Sequence, residues 1–220
     1  MNMVVHEPTI KKPTNPLLFL ATQSFALTLE QVKVALKENA IPQDSVEMNL
    51  RVTVKAPSVY QQTDVYMVKK GTGKSYTEIK SNFLKKRSIV NKGKMKIVDL
   101  KTSKTQIVDY NEESLKSESY ANFNPLDSGE WSEPKFYSED VYTIQGSAGT
   151  IYYNKKKNRI EKVEAVKGRA NTLTVFSYDA NNKMKKMEVS VIVNGYESVV
   201  TTEILRMQKS DKAPDTLFDF

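Results

Sequence analysis

Between residues 45 and 55 the chain alternates strictly: Val46, Met48, Leu50, Val52 and Val54 are apolar, whereas Glu47, Asn49, Arg51, Thr53 and Lys55 are polar. A period of two places each set on its own face of a strand, and one apolar face backed by one wet face marks an antiparallel sheet. Apolar runs of strand length follow at 63–69, 75–80, 87–90, 95–100 and 105–110, then at 141–144, 150–153, 159–166, 171–178, 183–193 and 196–207. Turn residues separate them, including Lys70-Gly71-Thr72-Gly73, Asn91-Lys92-Gly93 and Lys101-Thr102-Ser103-Lys104, as a series of hairpins requires. Asn194-Gly195 is the strongest of these signals, because both central positions of a type I′ turn need positive φ, which Asn and Gly accept most readily.

A helical period occurs once. Thr28 and Gln31 have the spacing of a capping box, and Leu29, Val32, Ala35 and Leu36 recur every three or four residues until about Glu38, before Pro42. Between the two sets of strands, residues 111–138 are polar, interrupted by Pro125, Gly129 and Pro134, with scattered Leu115, Tyr120, Phe123, Leu126 and Trp131. A connection of that length inside one domain suits a lid or flap. No repeat of fixed period is present. The pattern therefore predicts a mainly β (α+β) domain: a strongly curved antiparallel sheet forming an incomplete β-barrel, with an N-terminal helix and a helical flap, residues 111–138, on the concave side.

Composition narrows the chemistry. The chain has 220 residues, 39% hydrophobic and 27% charged, which suits one globular domain, expected over 27–220. Its net charge of +7 would suit an anionic partner, but the lysines are spread from Lys33 to Lys212 beside turns and along polar faces, the pattern of a solvated surface. The tight cluster Lys155-Lys156-Lys157 falls in an expected hairpin turn, and although Tyr152-Tyr153 precedes it, no nucleic-acid recognition signature accompanies the pair. There is no cysteine and only His6, which removes disulfides, thiol nucleophiles, thiolate metal sites and most nucleophile–base pairs. Residues 1–26 read as a secretory signal: Lys11 and Lys12, the apolar run from Pro16 to Ala21, and Ser24-Phe25-Ala26, with cleavage expected after Ala26. That run is too short to span a bilayer.

Two features carry residue types that catalysis could use. Gly71-Thr-Gly-Lys-Ser75 resembles the end of a phosphate-binding loop, but Val68 stands where the first glycine belongs and Tyr76-Thr-Glu-Ile continues as a strand instead of a helix. Glu112-Glu113 and Glu139-Asp140 fall at loop and strand ends without the spacing of a carboxylate pair or a calcium loop. No enzyme is expected, and no cofactor. The apolar face is what remains. Six methionines, Met48, Met67, Met95, Met184, Met187 and Met207, lie in or beside strands, where their flexible thioethers fit irregular apolar partners or fill a core. A curved sheet with one short helix has little material to fill its concavity, so a cavity is expected.

Several segments resemble the outer-membrane lipoprotein carrier and sorting proteins of the LolA type: the helix Thr28-Leu-Glu-Gln-Val-Lys, the strand Met48-Asn-Leu-Arg-Val-Thr-Val, and Val65-Tyr-Met-Val-Lys-Lys-Gly followed by Tyr76-Thr-Glu-Ile-Lys. Further along come Ile89-Val-Asn-Lys-Gly-Lys-Met-Lys-Ile-Val-Asp, Tyr137-Ser-Glu-Asp-Val, Val199-Val-Thr-Thr-Glu-Ile and the terminal Pro214-Asp-Thr-Leu-Phe-Asp-Phe. The resemblance covers about Leu27 to Phe220. It implies an incomplete barrel closed by helices, whose apolar cavity shields lipoprotein acyl chains, or another lipid, across the periplasm between an inner-membrane donor complex and an outer-membrane acceptor. It also implies an arginine latch for the lid; Lys69 and Lys70 stand at that place, with Arg51 and Arg87 as other candidates. The expected ligand-binding residues are Val46, Met48, Leu50, Val52, Val54, Met67 and Ile97, with Phe123, Leu126 and Trp131 from the flap. A monomer without nucleic acid is expected. The alternative is a half-barrel binding or envelope-stress sensing module that recognises a protein partner and carries no lipid.

Overall fold

The structure, a computed structural model, describes residues 26–38, 45–71, 73–111, 124–127 and 129–220. Residues 1–25 of the expected signal segment, with His6, the Glu112-Glu113 pair and Phe123 lie outside the described residues.

Helix α1 (Leu29–Glu38) starts where the capping box places it. Thr28 Oγ1 accepts from the Gln31 N–H at 3.2 Å, and Gln31 Oε1 accepts from the Thr28 N–H at 3.0 Å, so two amides that the helix leaves unpaired are satisfied reciprocally. The Glu133 carboxylate accepts from the Leu29 N–H at 2.9 Å and sits at the positive end of the helix dipole.

Thirteen strands form one antiparallel sheet that curves without closing. They are β1 (Ser45–Ala56), β2 (Val59–Lys70), β3 (Lys74–Ser81), β4 (Lys85–Asn91), β5 (Lys94–Asp99), β6 (Thr105–Asp109), β7 (Lys135–Ser138), β8 (Val141–Gly146), β9 (Gly149–Asn154), β10 (Arg159–Lys167), β11 (Ala170–Tyr178), β12 (Met184–Val193) and β13 (Tyr196–Lys209). The order β6-β5-β4-β3-β2-β1-β13-β12-β11-β10-β9-β8-β7 is two meanders joined where the first strand pairs with the last. The edges β6 and β7 do not meet, which leaves the barrel open. Asn194 (φ 51°) and Gly195 (φ 82°) make the tight turn expected of them, and Gly71 (φ 66°) serves the β2–β3 turn. Irregularities at Asn49/Leu50, Ile160/Lys162 and Ser177/Tyr178 break the register, the kind of feature that bends a sheet.

Apolar packing divides the sheet into an inner face, carrying α1, and an outer face. On the inner face Val32 of α1 and Leu126, from the 3-10 turn Pro125–Asp127, pack on Ile144, Ile151, Tyr153, Ile160 and Phe176. Beside them Val46, Met48, Leu50, Val65, Met67 and Ile204 form a second buried group whose described members are all strand-borne; Met184 touches both. On the outer face the C-terminal 3-10 turn Asp215–Phe218 inserts Phe218 against Val68, Tyr76 and Ile89. Full burial of one such ring contributes about 1.5–3 kcal/mol. The tail is fixed by Asn91 Nδ2 donating to the Phe218 carbonyl at 3.1 Å, by Lys70 Nζ donating to that of Ala213 at 2.9 Å, and by Lys70 and Lys74 reaching Asp215.

Of the expected flap, residues 112–123 and 128 lie outside the described residues. Its described part has one three-residue 3-10 turn, then Trp131 bridged to Gly146, then β7, so no lid helix is present among the described residues and the segment ends as an edge strand. All four residues of β7 are exposed. An edge strand open on both faces has no apolar alternation to read.

Candidate functional site

The period-two pattern of β1 directs Val46, Met48, Leu50, Val52 and Val54 to the inner face, and pairing sets their neighbours. Met48 stands between Met67 and Met207, Leu50 between Val65 and Ile204, Val52 between Thr63 and Thr202, and Val54 between Gln61 and Val200. Val46, Met48, Leu50 and Met67 are buried, whereas Val52 and Val54 are half-buried. Three methionines side by side give this part of the face a pliable lining.

The apolar surface continues past the strand-borne group and ends at Val163, which packs against the cluster beneath α1. Val54, Val200, Val189, Thr174 and Val163 occupy paired positions on the five adjacent strands β1, β13, β12, β11 and β10, and all are half-buried. One register step further, Ser198, Val191, Thr172 and Ala165 repeat the row. Four inter-strand spacings of about 4.8 Å make the first row roughly 19 Å long, the scale of an extended acyl chain.

The residues expected to line a site fall into two groups. Val46, Met48, Leu50 and Met67 belong to the strand-borne cluster, with Val52 and Val54 extending it. Leu126 and Trp131 belong instead to the cluster beneath α1. Ile97 shares the Met48–Met67 row but is separated from it by Thr77 and Ser88. Phe123 lies outside the described residues. Val65, Val189, Val200 and Ile204 are not among the expected residues, although the alternation in β2, β12 and β13 marks them.

Trp131 packs closely against Gly146. A Cβ on Gly146 would stand 2.5 Å from Trp131 Cε3 and 2.5 Å from the Glu130 carbonyl oxygen, so glycine is what permits the approach. The Ser132 N–H donates to the Gln145 carbonyl at 2.7 Å, and the Gln145 N–H to Ser132 Oγ at 3.1 Å, which fixes the strap carrying Trp131.

The candidate latch cations separate by face. Arg51 and Arg87 point outward, Arg51 Nε to Asp64 at 3.0 Å and Arg87 Nη2 to Glu78 at 2.7 Å. Lys70 is also on the outer side, beside Asp215, whereas Lys69 is buried on the inner face next to Val46. The strongest electrostatics are thus remote from the apolar surface. Burial works to raise Glu78, but hydrogen bonds from Lys80, Tyr76 and Arg87 prevail and hold its carboxyl down at about 2. Tyr76 is pushed up to about 12 by burial and by its bond to Glu78. Beneath α1, burial raises the Tyr178 phenol, which donates to the Ile160 carbonyl at 2.5 Å.

Among the described residues no three His, Asp or Glu side chains converge as metal ligands, no buried side-chain polar atom lacks a partner, and no helix is long and apolar enough to cross a membrane. The inner face is lined mainly by apolar side chains.

No family profile and no curated protein matches the sequence. Solved structures do match. A LolA superfamily protein from Nitrosomonas europaea superposes with a TM-score of 0.56 at 16% identity, over 89% of this chain and 99% of that one. A domain designated a candidate outer-membrane lipoprotein-sorting protein, from Vibrio parahaemolyticus, gives a TM-score of 0.53 at 8% identity, over 86% and 95%. Near-complete coverage of both, together with the unclosed sheet and its inner helix, establishes that the chain has the LolA-like fold.

Proposed function

We propose that the chain is a periplasmic carrier that holds the acyl chains of lipoproteins, or another lipid, against the inner face and moves them towards the outer membrane. The observation that supports this reading is the half-buried row Val54–Val200–Val189–Thr174–Val163, four valines and one threonine forming a mainly apolar strip of acyl-chain length continuous with the buried methionines. Each buried CH₂ is worth about 0.8 kcal/mol, so such a strip competes with a membrane through area alone. A pliable methionine lining accepts chains of different length and permits release. The reading assigns no reaction to the chain. Its lipid would come from an inner-membrane donor and pass to an outer-membrane acceptor.

The test is mass spectrometry of organic extracts from protein purified without detergent, with Trp131 emission followed while a diacyl lipopeptide is added. Co-purifying lipid, a saturable emission change, and loss of both in Val54→Asp with Val189→Asp are the expected results. Protein that is lipid-free and silent to the lipopeptide would sink the carrier reading and favour a partner-recognising module of the same shape.

A further inference from the structure

We propose that the hairpin tips at one end of the sheet form a docking rim for an anionic lipid bilayer. The rim is separate from the inner face and does not depend on the carrier reading, since a protein that transports nothing could still dock this way.

A meander sends alternate turns to opposite ends of its strands. One end receives the connections at residues 57–58, 82–84, 100–104, 147–148, 168–169 and 194–195. Four of these, β3–β4, β1–β2, β12–β13 and β10–β11, are neighbours in the sheet, and each carries exposed apolar side chains. Phe83 is 76% exposed, Tyr60 67%, Tyr196 70% and Val166 76%, with Leu84 and Val59 beside them. At the other end the connections carry glycine and charge, as in Lys92-Gly93, Glu139-Asp140 and Lys155-Lys156-Lys157, and the exposed aromatics near it, Phe136 and Tyr137 of β7 and Phe220 of the tail, lie off the hairpin tips.

These side chains are presented by ordered turns. Ser81 Oγ accepts from the Phe83 N–H at 3.3 Å and from the Leu84 N–H at 3.0 Å, while Lys101 Nζ donates to the carbonyls of Asn82 and Phe83, both at 2.9 Å. Asn194 and Gly195 close the next-but-one tip in two residues and set Val193 opposite Tyr196. Single exposed apolar residues are ordinary on a soluble surface, but here they are gathered on adjacent tips and held outward.

Charge selects the partner. The same four tips carry exposed Lys55, Lys85, Lys167 and Arg169 against one exposed carboxylate, Glu197. Aromatic and aliphatic side chains interleaved with cations match a headgroup boundary, where rings enter the interface and cations meet anionic lipid. Coplanar insertion of several short tips is also a contact that a bilayer accepts without shape complementarity.

The experiment is co-sedimentation of the full chain with phosphatidylcholine vesicles, with and without phosphatidylglycerol. Binding is expected only to the anionic vesicles and should weaken as salt rises. Phe83→Ser with Tyr196→Ser should lose on the order of tenfold in affinity. Lys167→Gln with Arg169→Gln should lose roughly fivefold per charge. Lys155→Gln with Lys156→Gln, at the opposite end, should stay near wild type, and thermal melts confirm that the variants fold. Failure to sediment with anionic vesicles overturns the proposal, as does an equal loss in the opposite-end variant. Self-association abolished by the rim variants, without vesicle binding, also overturns it and assigns the rim to a second copy. Vesicle binding that survives in Val54→Asp with Val189→Asp supports docking independently of any carried lipid.

Discussion

Gly146→Ala tests whether Trp131 is fixed on the sheet as described. The new methyl would lie 2.5 Å from Trp131 Cε3, 2.8 Å from Cδ2 and 2.5 Å from the Glu130 carbonyl oxygen, about 0.9 Å short of the 3.4 Å at which ordinary contact begins. The ring alone cannot resolve this, because one obstacle is backbone, and that backbone is tied to Gln145 through Ser132. Retreat of the strap would also draw Glu133 from the start of α1. Overpacking of this kind costs about 2 kcal/mol, or a fall in Tm of roughly 4–8 °C for a domain of this size. The assay is a thermal melt read by circular dichroism together with fluorescence of Trp131, the only tryptophan in the chain. A lower Tm and a red-shifted emission are expected. Gly168→Ala is the control: its Cβ meets nothing within 4 Å, so its φ of +62° costs on the order of 1 kcal/mol while Trp131 emission stays unchanged. A Gly146→Ala protein that melts within about 1 °C of wild type, well inside the expected shift, with unaltered emission refutes the reasoning.

Three further outcomes follow from the geometry. Glu78 is held at about 2 against an ordinary 4.5, so its contribution is complete above about pH 4.5 and lost as the pH falls towards 2. Urea titrations across that window should show a loss on the order of 2–3 kcal/mol that Glu78→Gln largely abolishes; an unchanged acid slope in the variant would count against it. Phe218→Ala empties a fully buried position on the outer face and should cost about 3–5 kcal/mol by denaturant unfolding, whereas a loss below about 1 kcal/mol would show that the tail is not integral to the fold. Thr28→Ala should cost about 1 kcal/mol and Thr28→Ser little, because serine keeps the oxygen that accepts from the Gln31 N–H; equal stability of the two variants would remove the cap from the account.

The sequence by itself determined the local elements. The alternation in β1, the capping box at Thr28 and the Asn194-Gly195 turn are encoded by residues adjacent along the chain, and each forms where the pattern places it. Period-two alternation also reveals which residues share a face, so most of the apolar surface was legible. It does not reveal which strands are neighbours. That β1 pairs with β13, bringing Met207 beside Met48 and extending the Val54 row across five strands, is decided by long-range pairing, which a period within one strand cannot specify. For the same reason, only the tertiary structure turned Arg51 and Arg87 outward to Asp64 and Glu78 while setting Lys69 into the inner face. Only packing placed Phe218 on the outer side. The strand in the expected flap left no trace in the sequence because β7 is held by backbone hydrogen bonds at an exposed edge, and such bonds are common to every side chain.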